Sequence, residues 1–124
     1  MSKNNIKKDN SGWIYVMRSD DMPIERYKIG MTKNSPEKRA LQLSTSHEGN
    51  MFVLLKKKVS DRFLAEKKVF ELLNENKVDK KELVDVYSFD VLISVFNYVE
   101  DIFPVSEDKG FKIKITMPGK KVTT

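Results

Sequence analysis

The sequence predicts a small α+β domain, a mainly antiparallel sheet flanked by helices in the order β-β-α-β-α-β-α. Three observations lead there. Short segments of period two, rich in β-branched and aromatic residues, alternate with stretches of helical period. Each helical stretch opens with a recognisable cap. The first two strand-like segments are separated only by a turn-forming run, which makes them a hairpin.

The elements follow in order. Met1 to Ser11 is polar and lysine-bearing and reads as a disordered leader. Trp13 to Met17 alternates and predicts a strand, with Trp13, Tyr15 and Met17 on one face and Ile14 and Val16 on the other. Ser19-Asp20-Asp21-Met22-Pro23 predicts a turn, and Arg26 to Thr32 the second strand. Ser35 as cap, Pro36 at the first helical position and Glu37 in the first turn start a helix that runs to Ser44–Ser46. After the loop His47-Glu48-Gly49-Asn50, Met51 to Val59 is a third strand. Ser60 or Asp61 caps a second helix to about Asn74, and Leu83 to Tyr87 is a short strand. Ser88 caps a third helix, apolar at Val91, Leu92, Val95, Val99 and Ile102 and halted by Pro104. Beyond it, Phe111 to Met117 alternates strictly. That predicts an extra strand able to add to a sheet edge, of its own domain or of a second copy as a homodimer. The expected organisation is thus a leader over 1–11, one domain over 12–104 and a basic extension over 105–124.

Composition narrows the function classes. No stretch approaches the ~20 apolar residues of a membrane span, so no membrane partner is expected. The absence of cysteine removes disulfides, thiolate catalysis and cysteine-based zinc sites together, and a cytoplasmic location fits. The net charge of +5 comes from the two ends, because 12–104 carries 15 basic and 15 acidic residues. Inside that neutral body the charge is segregated. Residues 26–81 hold 14 bases against 7 acids, and 82–101 hold five acids and no base, a distribution able to make a one-sided basic patch.

Two strings stand out: Gly12-Trp13-Ile14-Tyr15-Val16 and Tyr27-Lys28-Ile29-Gly30-Met31-Thr32, with eleven residues between Tyr15 and Tyr27. An arginine and a glutamate follow at suitable places. In these features the chain resembles the GIY-YIG endonuclease superfamily, and within it the phage and large-virus branch whose second string reads YKIG. The resemblance implies the fold above and a metal-dependent endonuclease that hydrolyses phosphodiester bonds of nucleic acid, with DNA the expected substrate and Mg²⁺ or Mn²⁺ the cofactor. It also implies a viral or phage origin, hence the cytoplasm or nucleus of a host.

The resemblance assigns roles residue by residue. Tyr15 takes the place of the base for the attacking water, a task open to a phenol whose pKa nearby cations lower. A tyrosine on a strand is equally a plain sheet-face residue. Tyr27 and Lys28 belong to the candidate catalytic set through the second string. Aligned on Ile-Gly, the superfamily's second tyrosine falls on Lys28, while Tyr27 faces the other way. Lys28 is either a phosphate holder or a solvated edge lysine. Arg39, at the fourth helical position after the cap, corresponds to the arginine that stabilises charge on the scissile phosphate, for which a planar, permanently charged donor set is suited. Lys33 and Lys38 join Lys28 and Arg39 as candidate nucleic-acid contacts.

Glu66 is singled out by physics without any family. It lies three after Phe63 and four before Phe70, on their stripe, and a carboxylate among apolar residues is costly unless paired or holding a metal. The bland reading sends it outward to Lys67 or Lys68. A single carboxylate completed by waters and phosphate oxygens suits Mg²⁺. Lys56-Lys57-Lys58 is open to phosphate contact or to simple solvation. The sole histidine, His47, reads as a surface residue. The competing function is a nucleic-acid-binding module of the same fold without chemistry.

Overall fold

The computed structural model describes residues 9–46 and 50–105. The expected order holds: β1 (Gly12–Ser19), β2 (Arg26–Thr32), α1 (Pro36–Ser46), β3 (Met51–Val59), α2 (Arg62–Leu72), a 3₁₀ turn (Asn74–Asn76), β4 (Leu83–Asp85) and α3 (Phe89–Ile102). The strands form one sheet in the order β3-β1-β2-β4, with antiparallel pairs throughout.

β1 is central, and its alternation is written into both faces. Ile14 and Val16, with Ile29, pack under Ala65, Val69 and Leu73 of the α2 region and Leu92, Phe96 and Val99 of α3. Tyr15 and Met17 point to the other face and pack with Ala40 and Leu43 of α1. These four side chains are at most 2% exposed, so the middle of β1 has no solvent face. The β1–β3 register shifts between Val16 and Met17, which are opposite Leu55 and Val53, so Leu54 is an extra residue in β3. Such a bulge bends the strand locally and adds twist.

The capping chemistry acts as the residue types require. The Ser35 hydroxyl accepts from Lys38 N–H at 3.2 Å, the Asp61 carboxylate from Leu64 N–H at 3.0 Å and the Ser88 hydroxyl from Asp90 N–H at 3.2 Å. The choice between Ser60 and Asp61 is thereby settled for Asp61. Two expected boundaries move. α2 stops at Leu72 and tightens into the 3₁₀ turn, where Asn76 N–H donates to Leu73 carbonyl at 2.8 Å. β4 spans Leu83–Asp85, with one further bond in the same register from Val86 N–H to Glu25 carbonyl at 3.0 Å, and Tyr87 beyond it projects into solvent. The expected strand over 111–117 and its homodimer, and His47, lie outside the described residues.

Candidate active site

The site begins with a glycine. Tyr15 and Gly30 face each other across the β1–β2 ladder. A Cβ built on Gly30 would collide with the hydroxyl and ring carbons of Tyr15, so the missing side chain is the seat of the phenol. Burial raises the Tyr15 pKa above its ordinary value, and the Arg39 guanidinium, within hydrogen-bonding reach, works against that rise. The charges of Glu82 and Glu66 push it further up. The phenol is therefore protonated at neutral pH.

Arg39 stands in the first turn of α1, its N–H donating to Ser35 carbonyl at 3.0 Å. Its side chain is exposed and reaches Gln42 Oε1 at 3.4 Å. Lys28 lies on the Tyr15 face of β2, opposite Met17. It is not a solvated edge residue. Its ammonium forms a 2.8 Å ion pair with Glu82, and its side chain is only 19% exposed.

Glu66 is half-buried on α2, and its Oε2 is buried without a hydrogen-bond partner among the described residues. Of the expected stripe of Phe63, Glu66 and Phe70, Phe70 packs against the core and Phe63 does not. Ala65, Val69 and Leu73 face the core, Phe63 is largely exposed, and Glu66 sits at the margin between them. It does not turn outward to a lysine neighbour: Lys68 pairs instead with Glu71 at 3.6 Å. Desolvation raises its pKa from 4.5 to about 7, the nearby Glu82 adding to the rise while Lys28 and Lys77 oppose it. Its negative charge is also felt at Tyr15. Arg39 and Glu66 thus both act on Tyr15, and Lys28 acts on Glu66, although α1 and α2 belong to opposite layers.

Tyr27 is not brought to this place. It lies on the other sheet face, packed against the main core and against the Phe89 ring at 5.6 Å, with the Arg18 guanidinium over it at 5.8 Å. Alternation along β2 is the reason, since neighbours of a site residue on a strand point away from it. Lys33 and Lys38 are exposed, and neither has an ion-pair partner among the described residues. The lysine run of β3 is partly engaged. Lys56 pairs with Glu37 at 2.9 Å, Lys57 with Glu100 at 3.5 Å, and the Lys56 and Lys58 ammoniums lie 5.0 and 5.5 Å from the Trp13 ring centroid.

The residue that sequence reasoning missed is Glu82. It acts on Tyr15 and Glu66 and holds Lys28, yet it is 54 residues from its lysine partner. The only trace in the sequence is its position as the first acid of the base-free run 82–101, directly after Lys80-Lys81.

As a test of fit for a divalent cation, the donor set is lean. No group of three or more histidine or carboxylate side chains gathers among the described residues. The unpartnered buried oxygen of Glu66 is a donor of the hard, anionic kind that Mg²⁺ and Mn²⁺ accept, and Mg²⁺ keeps most of its ligands as water and substrate oxygens. The residues present fit such an ion. No helix among the described residues is long and apolar enough to cross a membrane.

A protein-family model described as the T5orf172 domain matches residues 12–109. This corrects the resemblance drawn from the two strings, because T5orf172 is a different family from GIY-YIG. Each string is only a few strand residues around a glycine, and here the two strings meet in the Tyr15–Gly30 pair of one hairpin. The family match instead spans the whole folded body. No curated protein and no solved structure matches the chain.

Proposed function

Because the chain belongs to the T5orf172 domain family, a phage-type family related to nuclease-like domains, we propose that it is a nucleic-acid-directed module that hydrolyses phosphodiester bonds with the help of Mg²⁺ or Mn²⁺, DNA being the expected substrate. The observation that carries the reading is the buried, unpartnered carboxylate oxygen of Glu66, which lies in the field of Glu82, Lys28 and Lys77 and whose own charge is felt at Tyr15. A carboxylate left so is destabilising unless it has a task, and groups with strongly perturbed ionisation cluster at functional sites.

Each residue has a part that its surroundings support. Arg39, exposed in the first turn of α1, offers a bidentate donor set to the scissile phosphate, and the positive end of the helix adds to it. Lys28 offers a second positive contact on the same sheet face. Tyr15, protonated and fixed over Gly30, donates a hydrogen bond to an oxygen of the phosphate or of the attacking water, and the guanidinium beside it eases loss of its proton. Glu66 would hold the divalent ion, which when bound supplies Lewis-acid stabilisation of charge on the phosphate and leaving oxygens. Lys33 and Lys38 extend the positive surface beside Arg39 for flanking phosphates.

The test is cleavage of plasmid and of labelled DNA and RNA oligonucleotides with Mg²⁺ or Mn²⁺, run beside Glu66→Gln. Cleavage by wild type and none by the variant supports hydrolysis. Equal cleavage by both removes Glu66 from the reaction. Binding without cleavage under every condition leaves the family's nucleic-acid role but removes the chemistry.

A further inference from the structure

Glu82 has no place in the chemistry above, yet it is fastened into the site. Its carbonyl accepts from Ile29 N–H at 2.8 Å, which ties the backbone of residue 82 to β2 beside Lys28. The turn before it is closed by Lys81 N–H to Val78 carbonyl at 3.2 Å and by Val78 N–H to Leu83 carbonyl at 2.9 Å. Asp79, at φ 54°, takes the left-handed backbone that this reversal requires. The carboxylate so delivered meets Lys28 Nζ at 2.8 Å. The exposures are unequal: the lysine side chain is 19% exposed and the glutamate 53%, so the carboxylate is the more solvent-facing member of the pair. Both line a cleft of about 620 Å³ whose walls also carry Arg26, Lys81, Leu43 and Met51.

A carboxylate oxygen at 2.8 Å from an ammonium occupies the position that a non-bridging phosphate oxygen takes at a lysine. We propose that Lys28 is an anion site for a phosphodiester of the bound nucleic acid, and that Glu82 fills it in the free protein and withdraws when the phosphate enters. The inference rests on the nucleic-acid reading above and gives Glu82 a positioning role exerted through Lys28. Half-exposed ion pairs of this kind are weak, whereas a polymeric phosphate also gains from released counterions, so the exchange runs toward the nucleic acid. A mononucleotide or inorganic phosphate gains far less from counterion release. Glu82 thereby sets a threshold that favours a polymer over small anions.

The experiment measures affinity for a fluorescein-labelled DNA duplex by anisotropy in EDTA, from 50 to 200 mM salt. It compares wild type, Lys28→Ala, Glu82→Gln and the double variant. Glu100→Gln serves as the control, since it removes an equal charge from the partner of Lys57 on α3. Melting curves establish that each variant is folded. Glu82→Gln is expected to bind more tightly than wild type with the same salt dependence, because both place a phosphate on Lys28. The salt slope of wild type is expected to exceed that of Lys28→Ala by about one phosphate contact. That is an extra loss of about three- to four-fold across this salt range. The double variant is expected to match Lys28→Ala in both affinity and slope. An equal gain from Glu82→Gln with and without Lys28, or from Glu100→Gln, would overturn the proposal in favour of bulk charge, as would no gain at all. Wild type that binds no nucleic acid would overturn the underlying reading together with it, whereas binding with an additive cycle overturns only the role of Glu82.

Discussion

Replacing Glu66 by glutamine makes the protein more stable as pH rises. In the folded state the Glu66 carboxyl holds its proton up to about pH 7, against 4.5 for an unhindered glutamate. Below about pH 4.5 the group is protonated whether the chain is folded or not, and it costs nothing. Between 4.5 and about 7 the unfolded chain gives up the proton more readily, so folding stability falls through that window and stays reduced above it. The difference corresponds to a ceiling of about 3 kcal/mol. The side chain is only half-buried and screened by solvent, so about 1–2 kcal/mol is the expected penalty at pH 8. Glutamine has the same shape and no charge and removes that penalty. In a domain of this size each kcal/mol moves the melting temperature by about 4–8 °C. Glu66→Gln should therefore melt roughly 5–10 °C above wild type at pH 8 and level with it near pH 5. Differential scanning fluorimetry or calorimetry across pH 5–8, in EDTA, measures this directly. Adding Mg²⁺ or Mn²⁺ at pH 8 should then raise wild type by about 1.4 kcal/mol at ten times the dissociation constant and leave the variant unmoved. A variant equally or less stable than wild type at pH 8 would refute the account of Glu66 as a destabilised buried carboxylate.

Gly30→Ala should evict the Tyr15 ring from its seat, costing about 1–3 kcal/mol in denaturant unfolding and abolishing cleavage without altering any charged residue. Arg39→Ala should lower the cleavage rate by about 10²–10³-fold. Because the side chain is exposed, the melting temperature should stay close to that of wild type. Asp61→Ala should cost about 1 kcal/mol by removing the cap of α2, the helix that carries Glu66; Ser88→Ala, at the cap of α3, should cost a similar amount while leaving divalent-ion affinity unchanged, a contrast readable by melting and by calorimetric titration.

Much of the fold could be read from the chain because its signals are local. Ser35-Pro36, Asp61 and Ser88 cap helices by bonding their own next turn, and the alternation of β1 states which residues lie beneath which layer. Tyr15, Lys28 and Gly30 could be placed on one face by counting in twos. The misjudgements share a different cause. The core stripe of α2 was expected at its two phenylalanines, but tight contact with the sheet falls to Ala65 and Val69, whose smaller side chains let the helix approach. β4 is expected to reach Tyr87, but its pairing with the β2 side ends at the Val86–Glu25 bond, and Tyr87 lies in solvent. Glu82 meets Lys28 only after the chain has folded, so no window of sequence displays the pair.

The two-sided burial of β1 has an evolutionary consequence. In many enzymes the reacting groups ride on loops that can lengthen, drift or be replaced while the scaffold stays intact. Here Tyr15 stands between Ile14 and Val16, two of the most deeply packed side chains of the core, and the extra residue at Leu54 fixes the pairing of β1 with β3. An insertion or deletion within this strand would exchange the phenol with an aliphatic neighbour and spoil the proposed chemistry and folding in one event. Lineages descending from such a sequence are therefore expected to explore new targets through the exposed faces of α1 and the segments flanking the sheet. The tyrosine strand itself should be inherited as a block.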